Sequence, residues 1–145
     1  MSKRLRTHDF KQFVLTINGL LIGGFGEEGG CEYEWAADIG EDTVGADGEV
    51  TFSRNNDERV YVDITVMQTS QGYARLMALM QQQQREPEIL PMPFEASNPR
   101  TGERFFSEYT VFKSRPEANE QKASQDRTIR ILLPYAKYTA PTLAL

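Results

Sequence analysis

The sequence has little of the material that builds disulfides, metal centres or membrane spans. Its 145 residues include one cysteine, Cys31, and one histidine, His8, which excludes an intrachain disulfide and a zinc site with four Cys or His ligands, and argues against a histidine-based catalytic triad. Residues 12–25 carry no charge, but polar residues and glycines keep this stretch short of the roughly 20 apolar residues of a membrane span. The basic N-terminus is not followed by the apolar segment of a secretory signal. We therefore expect neither a membrane anchor nor a cleaved leader.

Charge is unevenly distributed along the chain. The formal net charge is -5, yet residues 27–58 hold eleven acids and one base, Arg54, for a net of -10, and the remaining residues hold fifteen bases and ten acids, for a net of +5. Three of these bases, Lys3, Arg4 and Arg6, lie at the N-terminus. A pI of about 5.0 argues against a nucleic-acid-binding surface. A solvated acidic face would explain the acidic segment; the alternative is association of unlike surfaces, with the basic N-terminus as the complement.

Apolar residues recur mainly with the two-residue period of β-strands, in segments separated by Gly, Asn, Asp and Pro. This pattern predicts a mainly β fold. The Asn18-Gly19 pair predicts a type I′ hairpin, because both central residues of that turn need a positive φ. The predicted strands are 13–18, 20–22, 31–35, 60–67, 104–113 and 127–133.

The strand at 31–35 has two unlike faces. Cys31, Tyr33 and Trp35 alternate with Glu32 and Glu34, which predicts a half-buried strand with its acids in solvent. We expect Trp35 to lie in the core and Cys31 to be a core thiol.

A helix interrupts the series of strands. Apolar residues at positions 73, 76, 77 and 80 have helical spacing behind Ser70, a residue type that caps helices. Because the residue before a proline avoids helical angles, Pro87 predicts an end near residue 84. The four glutamines at 81–84 are predicted to form a polar final turn.

Two long polar segments are unusual in a single domain of this length, which we take to span residues 1–145. Residues 38–57 contain Asp47-Gly48 between apolar residues, which predicts a hairpin-like arm that binds a partner. Residues 115–125 have little to bury and are predicted to form a mobile loop.

Motifs that could carry chemistry fail on their context. The glycines of 24–29 match the spacing of a dinucleotide-binding loop, but a strand follows them and two acids inside the loop would repel phosphate. Glu32 and Glu34 lie about 6 to 7 Å apart along a strand, a separation seen between glycosidase carboxylates, but neither sits in an apolar pocket. The acids of 38–49 lack the ligand order of an EF-hand. We predict a protein without catalytic residues, cofactor or metal.

A specific motif begins inside the acidic segment. Val-Gly-Ala-Asp-Gly-Glu-Val-Thr occupies 44–51, Ser-Arg-Asn-Asn-Asp and Arg59 follow within 53–59, and an alternating strand ends in Gln-Thr-Ser at 68–70. This stretch resembles the tail tube proteins of contractile-tailed bacteriophages. Glu58, inserted before Arg59, departs from the family pattern. The upstream Asn-Gly hairpin and acidic strand extend the resemblance to most of the chain.

The resemblance implies a β-sandwich or barrel-like protomer with one flanking helix and a long inter-strand arm. It also implies rings of six protomers stacked into a hollow tube, lined by four-stranded sheets, through which DNA passes during ejection. The arm would reach a neighbouring protomer, and acids opposite apolar strand faces, Glu32, Glu34 and Asp63, are candidates for the lumen. The arm residues expected to carry contacts are Thr43, Val44, Gly45, Ala46, Asp47, Gly48, Glu49, Val50, Thr51, Arg54 and Arg59.

The same resemblance implies the partners and the location. These partners are further copies of the chain, the surrounding sheath, the baseplate and tail-terminator proteins, and DNA only transiently in the lumen. The protein would reside in the phage tail after assembly in the host cytoplasm.

Three alternatives remain open at this point. A tube protein of type VI secretion or of a phage-tail-like bacteriocin would share the physics of a stacked ring. An acidic β-sandwich that binds a ligand is a different class, and Trp35 is the one tryptophan it could use. An enzyme would rest on Glu32 and Glu34 alone.

Overall fold

The chain folds into two antiparallel β-sheets, a separate hairpin and a helix, which confirms the predicted mainly β fold. A computed structural model describes residues 13–25, 29–117, 120 and 125–142. In chain order the elements are β1 (Val14–Ile17), β2 (Leu20–Ile22), β3 (Gly30–Trp35), β4 (Gly40–Val44), β5 (Val50–Arg54), β6 (Val60–Met67), α1 (Gln71–Arg85), β7 (Phe94–Asn98), β8 (Glu103–Ser107), β9 (Val111–Ser114), β10 (Asp126–Leu133) and β11 (Lys137–Thr139).

The first sheet has five strands in the order β11-β8-β7-β1-β2. Its β1–β2 hairpin turns at Asn18 and Gly19, whose φ angles of 53° and 79° confirm the predicted turn. Leu15, Ile17 and Phe94 point from this sheet into the core and are fully buried.

The second sheet has four strands in the order β3-β6-β10-β9, and each neighbouring pair is antiparallel. Alternate residues of its two central strands are inaccessible to solvent and meet the first sheet in one core. Burying such a side chain contributes about 1.5–3 kcal/mol. These residues are Val60, Val62, Ile64, Val66, Ile129, Ile131 and Leu133.

Aromatic rings join the two sheets on the side of β3. The Tyr33 ring stacks on the Phe105 ring with centroids 4.0 Å apart. Trp35 does not reach the core as predicted: half of it is exposed. Because it ends β3 at the margin of the sandwich, it contacts the rings of Phe105 and Tyr138 from outside.

The single strand predicted over 104–113 is wrong. Its two ends are β8 and β9, which belong to different sheets. Between them the buried Thr110 hydroxyl donates to the Met92 carbonyl at 2.8 Å, and the Ser107 hydroxyl donates to the Tyr109 carbonyl at 2.8 Å. These bonds satisfy the polar groups where the chain crosses from one sheet to the other.

The helix begins where predicted and ends one residue later. The Ser70 hydroxyl accepts from the Tyr73 N–H at 3.1 Å, which confirms the N-cap. Its buried face includes Gly72, which passes so close to the Gly23 carbonyl that a Cβ there would lie 1.9 Å from the oxygen. Glycine at position 72 therefore sets how closely the helix packs against the chain leaving β2.

Candidate assembly surfaces

The three acids named as lumen candidates lie on one face of the second sheet. Glu32 of β3 lies directly opposite Asp63 of β6, and Glu34 follows on the same face because side chains alternate along a strand. This face of the four-stranded sheet points away from the core. Both glutamates are exposed and Asp63 is half-buried.

A basic residue from the next strand offsets these charges. Arg130 of β10 is paired with Asp63, and its guanidinium lies 3.2 Å from the Asp63 carboxylate and 2.7 Å from that of Glu34. Like charges facing each other across strands are destabilising, and Arg130 relieves this repulsion. The hydrogen bond to Glu34, with the Asp63 charge, holds the pKa of Arg130 above its ordinary value.

A second base lies on the same face. The Lys113 ammonium is 4.2 Å from the centre of the Tyr61 ring, and the Arg130 guanidinium is 4.5 Å from it. Sequence reasoning missed both bases. The alternation of Arg130 with Ile129 and Ile131 shows its face but not its neighbours. With four acids and two bases the face carries a net charge of -2; its charged residues are Glu32, Glu34, Asp63, Asp126, Lys113 and Arg130.

The predicted arm is a hairpin that stands apart from both sheets. Its strands β4 and β5 pair with each other alone. Every residue of the two strands is exposed except Gly40, which is half-exposed. An isolated two-stranded hairpin is marginally stable in water, and no strand of the two described sheets pairs with this one.

The two faces of the arm differ in chemistry. Val44 is opposite Val50, and Phe52 is opposite Asp42, so these residues form one mainly apolar face. Val44, Val50 and Phe52 are 66%, 67% and 58% exposed. The other face is formed by hydroxyl and acidic side chains: Glu41, Thr43, Thr51 and Ser53.

Glycines shape both ends of the arm. At the tip, Gly48 has a φ of 84°, its N–H donates to the Gly45 carbonyl at 3.0 Å, and the Glu49 N–H donates to the Asp47 carboxylate at 3.1 Å. These bonds make a three-residue loop with a glycine bulge. At the base, a Cβ on Gly40 would lie 2.5 Å from the Phe52 ring.

The two arginines near the arm behave differently. Arg59 forms a two-point ion pair with Asp57 of its own chain, with a shortest distance of 2.7 Å. This bond holds the pKa of Asp57 below its usual value and that of Arg59 above it. Within the described ranges, Arg54 has no ion pair or side-chain hydrogen bond.

Two predicted features lie outside the described residues. The basic N-terminus with Lys3, Arg4 and Arg6 is one of them. The other is most of the polar segment 115–125; of its described members, Glu120 lies 3.5 Å from the Arg127 guanidinium.

Helix α1 closes part of the edge of β9. The Gln83 amide donates to the Thr110 carbonyl at 2.6 Å, and its oxygen accepts from the Phe112 N–H at 2.9 Å. Since β9 is the last strand of its sheet, this amide occupies main-chain groups that another strand would otherwise use. Sequence reasoning treated the glutamines only as a polar turn and missed this role.

Comparison with known families now identifies the chain. A family model described as bacteriophage PhiTE tail tube protein matches residues 16–133. This chain belongs to that tail tube family. A comparison with curated protein sequences finds no match. The matched residues include both arm strands and the whole four-stranded sheet.

Membership gives the tail tube protein a structural role in the phage virion, where a tube assembles with other tail components. A structural family suggests a role other than catalysis. Glu32 and Glu34, on which an enzyme would rest, are both exposed, whereas a catalytic acid typically lies in an apolar pocket.

The described part of the tail tube protein contains no cluster of three or more metal-ligating side chains and no helix long and apolar enough to cross a membrane. A groove of about 330 Å³ opens between the sheets beside Cys31, Tyr33 and Phe105. Burial raises the pKa of the Cys31 thiol to about 12. Burial also raises the pKa of the Tyr33 hydroxyl above its ordinary value. Neither group is therefore ionised near neutral pH, so neither is an activated nucleophile.

Proposed function

We propose that this protein forms the inner tube of a contractile phage tail, as rings of six protomers stacked into a hollow conduit for DNA. One observation carries the proposal: the protomer combines an open-edged sheet, polar on its outer face, with an arm whose apolar side chains have no cover of their own. Heterologous contacts of this kind close into rings or extend into filaments.

The four-stranded sheet is suited to line a channel. Its four strands alternate in direction, so β3 and β9 run in opposite directions. A rotated copy can therefore place its β3 antiparallel to β9, and the ladder continues from one protomer to the next. Closure of the ring removes both free edges.

The outer face of this sheet then becomes the lumen wall, with Glu32, Glu34 and Asp63 facing the channel. Arg130 and Lys113 reduce the charge of this wall to -2 for each protomer without reversing it. DNA is repelled by such a surface and releases no counterions to it. It can thus slide without being held, and contact with DNA is transient.

The arm supplies the contact between neighbouring protomers and rings. Its apolar face, with Val44, Val50 and Phe52, gains burial when it docks, and at about 25 cal/mol per Å² this is a substantial driving force for three large side chains. Arg54 is available for an acid on the neighbour, and the basic residues Lys3, Arg4 and Arg6 for acids of the arm. An exposed ion pair adds about 0–1 kcal/mol, so the apolar face dominates.

The remaining partners follow from a tube of this kind. A sheath protein surrounds the tube, and baseplate and tail-terminator proteins bound its ends. The protein assembles in the host cytoplasm and remains in the virion.

Electron microscopy of the concentrated protein, together with light scattering, tests this function. We expect six-fold rings or hollow filaments. A protein that stays monomeric even with its baseplate and terminator proteins would contradict the proposal.

Two arm variants separate assembly from folding. Val44→Ser with Phe52→Ser removes the apolar face, whereas Thr43→Ser with Thr51→Ser alters the opposite face conservatively and serves as the control. We expect the first pair, like deletion of residues 44–50, to abolish tube growth with an unchanged circular dichroism spectrum. Normal polymerisation of the Val44→Ser/Phe52→Ser variant or of the deletion variant would refute the role of the arm.

A further inference from the structure

The two free edges of the four-stranded sheet differ in accessibility. Among the described residues, no side chain hydrogen-bonds to the outer main chain of β3. β9 is closed at its start by the Gln83 amide on Thr110 and Phe112. Its far end is limited by Pro116, which has no N–H to donate. The stretch left open on this side is residues 113–115.

These edges also differ in charge. β3 presents Glu32 and Glu34, both exposed, and the open stretch at the end of β9 presents Lys113 and Arg115, both exposed. Two of the four are already engaged within the protomer: Glu34 with Arg130 at 2.7 Å, and Lys113 with the Tyr61 ring at 4.2 Å.

The other two have no such partner in the part of the chain that the structure describes. Glu32 makes no side-chain hydrogen bond or ion pair there, and its direct neighbour across the strands is another acid, Asp63. Arg115 likewise makes none. Each edge thus keeps one charge unsatisfied, and the two charges are opposite.

We propose that Glu32 of one protomer pairs with Arg115 of the next where β3 meets the open stretch beside β9. This inference rests on the proposed ring and identifies which residues select its partner and register. Gln83 and Pro116 confine the contact to about three residues, so a shift along the edge would bring β3 onto occupied main chain. In this pair the Glu32 carboxylate contacts a cation, whereas in the protomer its direct neighbour across the strands is another acid.

A charge exchange tests the pair. Glu32→Lys and Arg115→Glu each place like charges at the joint and should raise the critical concentration for assembly about tenfold. The double variant restores opposite charges and should recover assembly to near the wild-type level. Glu32→Lys with Arg100→Glu has the same net charge as that double variant; because Arg100 lies in the exposed turn after β7, it should stay defective. Circular dichroism checks that each variant folds.

The outcomes separate the pair from the tube itself. Recovery in the Glu32→Lys/Arg115→Glu variant alone supports the proposal. Tubes that form normally with either single reversal, or equal defects in both double variants, would overturn the pair and leave the tube intact. A wild-type protein that never associates with itself or its tail partners would overturn both.

Discussion

Replacing Gln83 by glutamate tests whether the helix caps the edge of β9. The amide now makes two bonds, one as donor to Thr110 at 2.6 Å and one as acceptor from Phe112 at 2.9 Å. A carboxylate keeps the second bond but cannot make the first, and it faces the Thr110 carbonyl with a negative charge. Leaving a partly buried carbonyl unsatisfied costs about 1–3 kcal/mol. If the free energy of unfolding falls by about 2 kcal/mol, the midpoint of thermal unfolding of a chain this size should fall by roughly 4–8 °C.

The loss should depend on pH with a definite sign. A protonated glutamic acid can donate to Thr110 and accept from Phe112, so folding favours its neutral form and raises the pKa of the new carboxyl above its usual value of about 4.3. For a pKa raised on folding, the stability is fully present below the unfolded value and is lost as the pH rises through the folded one. The gap to wild type should therefore be near zero at pH 4 and complete at pH 7.

Gln84→Glu is the matched control for Gln83→Glu. It adds the same charge one residue along the helix, at an exposed position. The effects of the helix dipole and of the titration of native acids on stability are therefore the same in both variants, and they cancel when the two are compared. Thermal unfolding followed by circular dichroism at pH 4 and pH 7, on dilute protein, measures the gap. Equal stability of the variants at pH 7, or a gap that does not narrow in acid, would refute the cap.

Three further predictions concern the arm, the helix and the thiol. Gly40→Ala should leave the midpoint of thermal unfolding within about 1 °C of wild type, because exposed arm residues add little to stability. It should prevent tube growth, because the added Cβ would displace the Phe52 ring. Normal tube growth in electron microscopy would contradict this. Gly72→Ala should lower the free energy of unfolding by about 2–3 kcal/mol, since the helix must move away from the Gly23 carbonyl. The control is Gly23→Ala, whose added Cβ meets nothing within 4 Å. Equal free energies of unfolding for the two variants in denaturant titration would contradict this prediction. Cys31, with a pKa of about 12, should react with iodoacetamide at pH 8 roughly a thousandfold more slowly than an ordinary thiol of pKa about 8.5. Mass spectrometry measures this rate, and Cys31 should react at the normal rate in urea. Equal rates in the folded protein and in urea would disprove the burial of Cys31.

Much of the fold could be predicted from the sequence where local pattern and tertiary packing agree. The alternation of 60–67 and the Ser70 cap are local features that do not depend on distant parts of the chain, and the structure confirms both. Two strands were missed: β7, a short segment between Pro93 and Pro99, and β11, which has three residues. β7 carries a two-residue pattern, since Phe94 and Ala96 are buried between the less buried Glu95 and Ser97, but this pattern is weak between two prolines. β11 has no buried residue to mark a period, and its pairing with β8 makes it a strand.

The surfaces were less predictable than the core. The acids Glu32, Glu34 and Asp63 could be placed on a polar face by alternation alone. Arg130 could not be assigned to them, because contact across strands depends on sheet order, which a single sequence does not contain. Gln83 was missed for the same reason: its function depends on the main chain of β9, 27 residues away in the sequence.

In the proposed ring, the edge features that guard the protomer against aggregation would also select its partner. Two β3 edges would bring Glu32 and Glu34 against their own copies, and two β9 edges would oppose Lys113 and Arg115, so both two-fold arrangements are disfavoured by like charges. The unlike pairing of β3 with β9 matches charge and strand direction together. A contact between two different surfaces cannot stop at a dimer, since each new copy exposes the next free edge. In the proposed assembly, the charges at the two edges thus favour the contact between unlike edges, and the covered start of β9 limits where that contact can form.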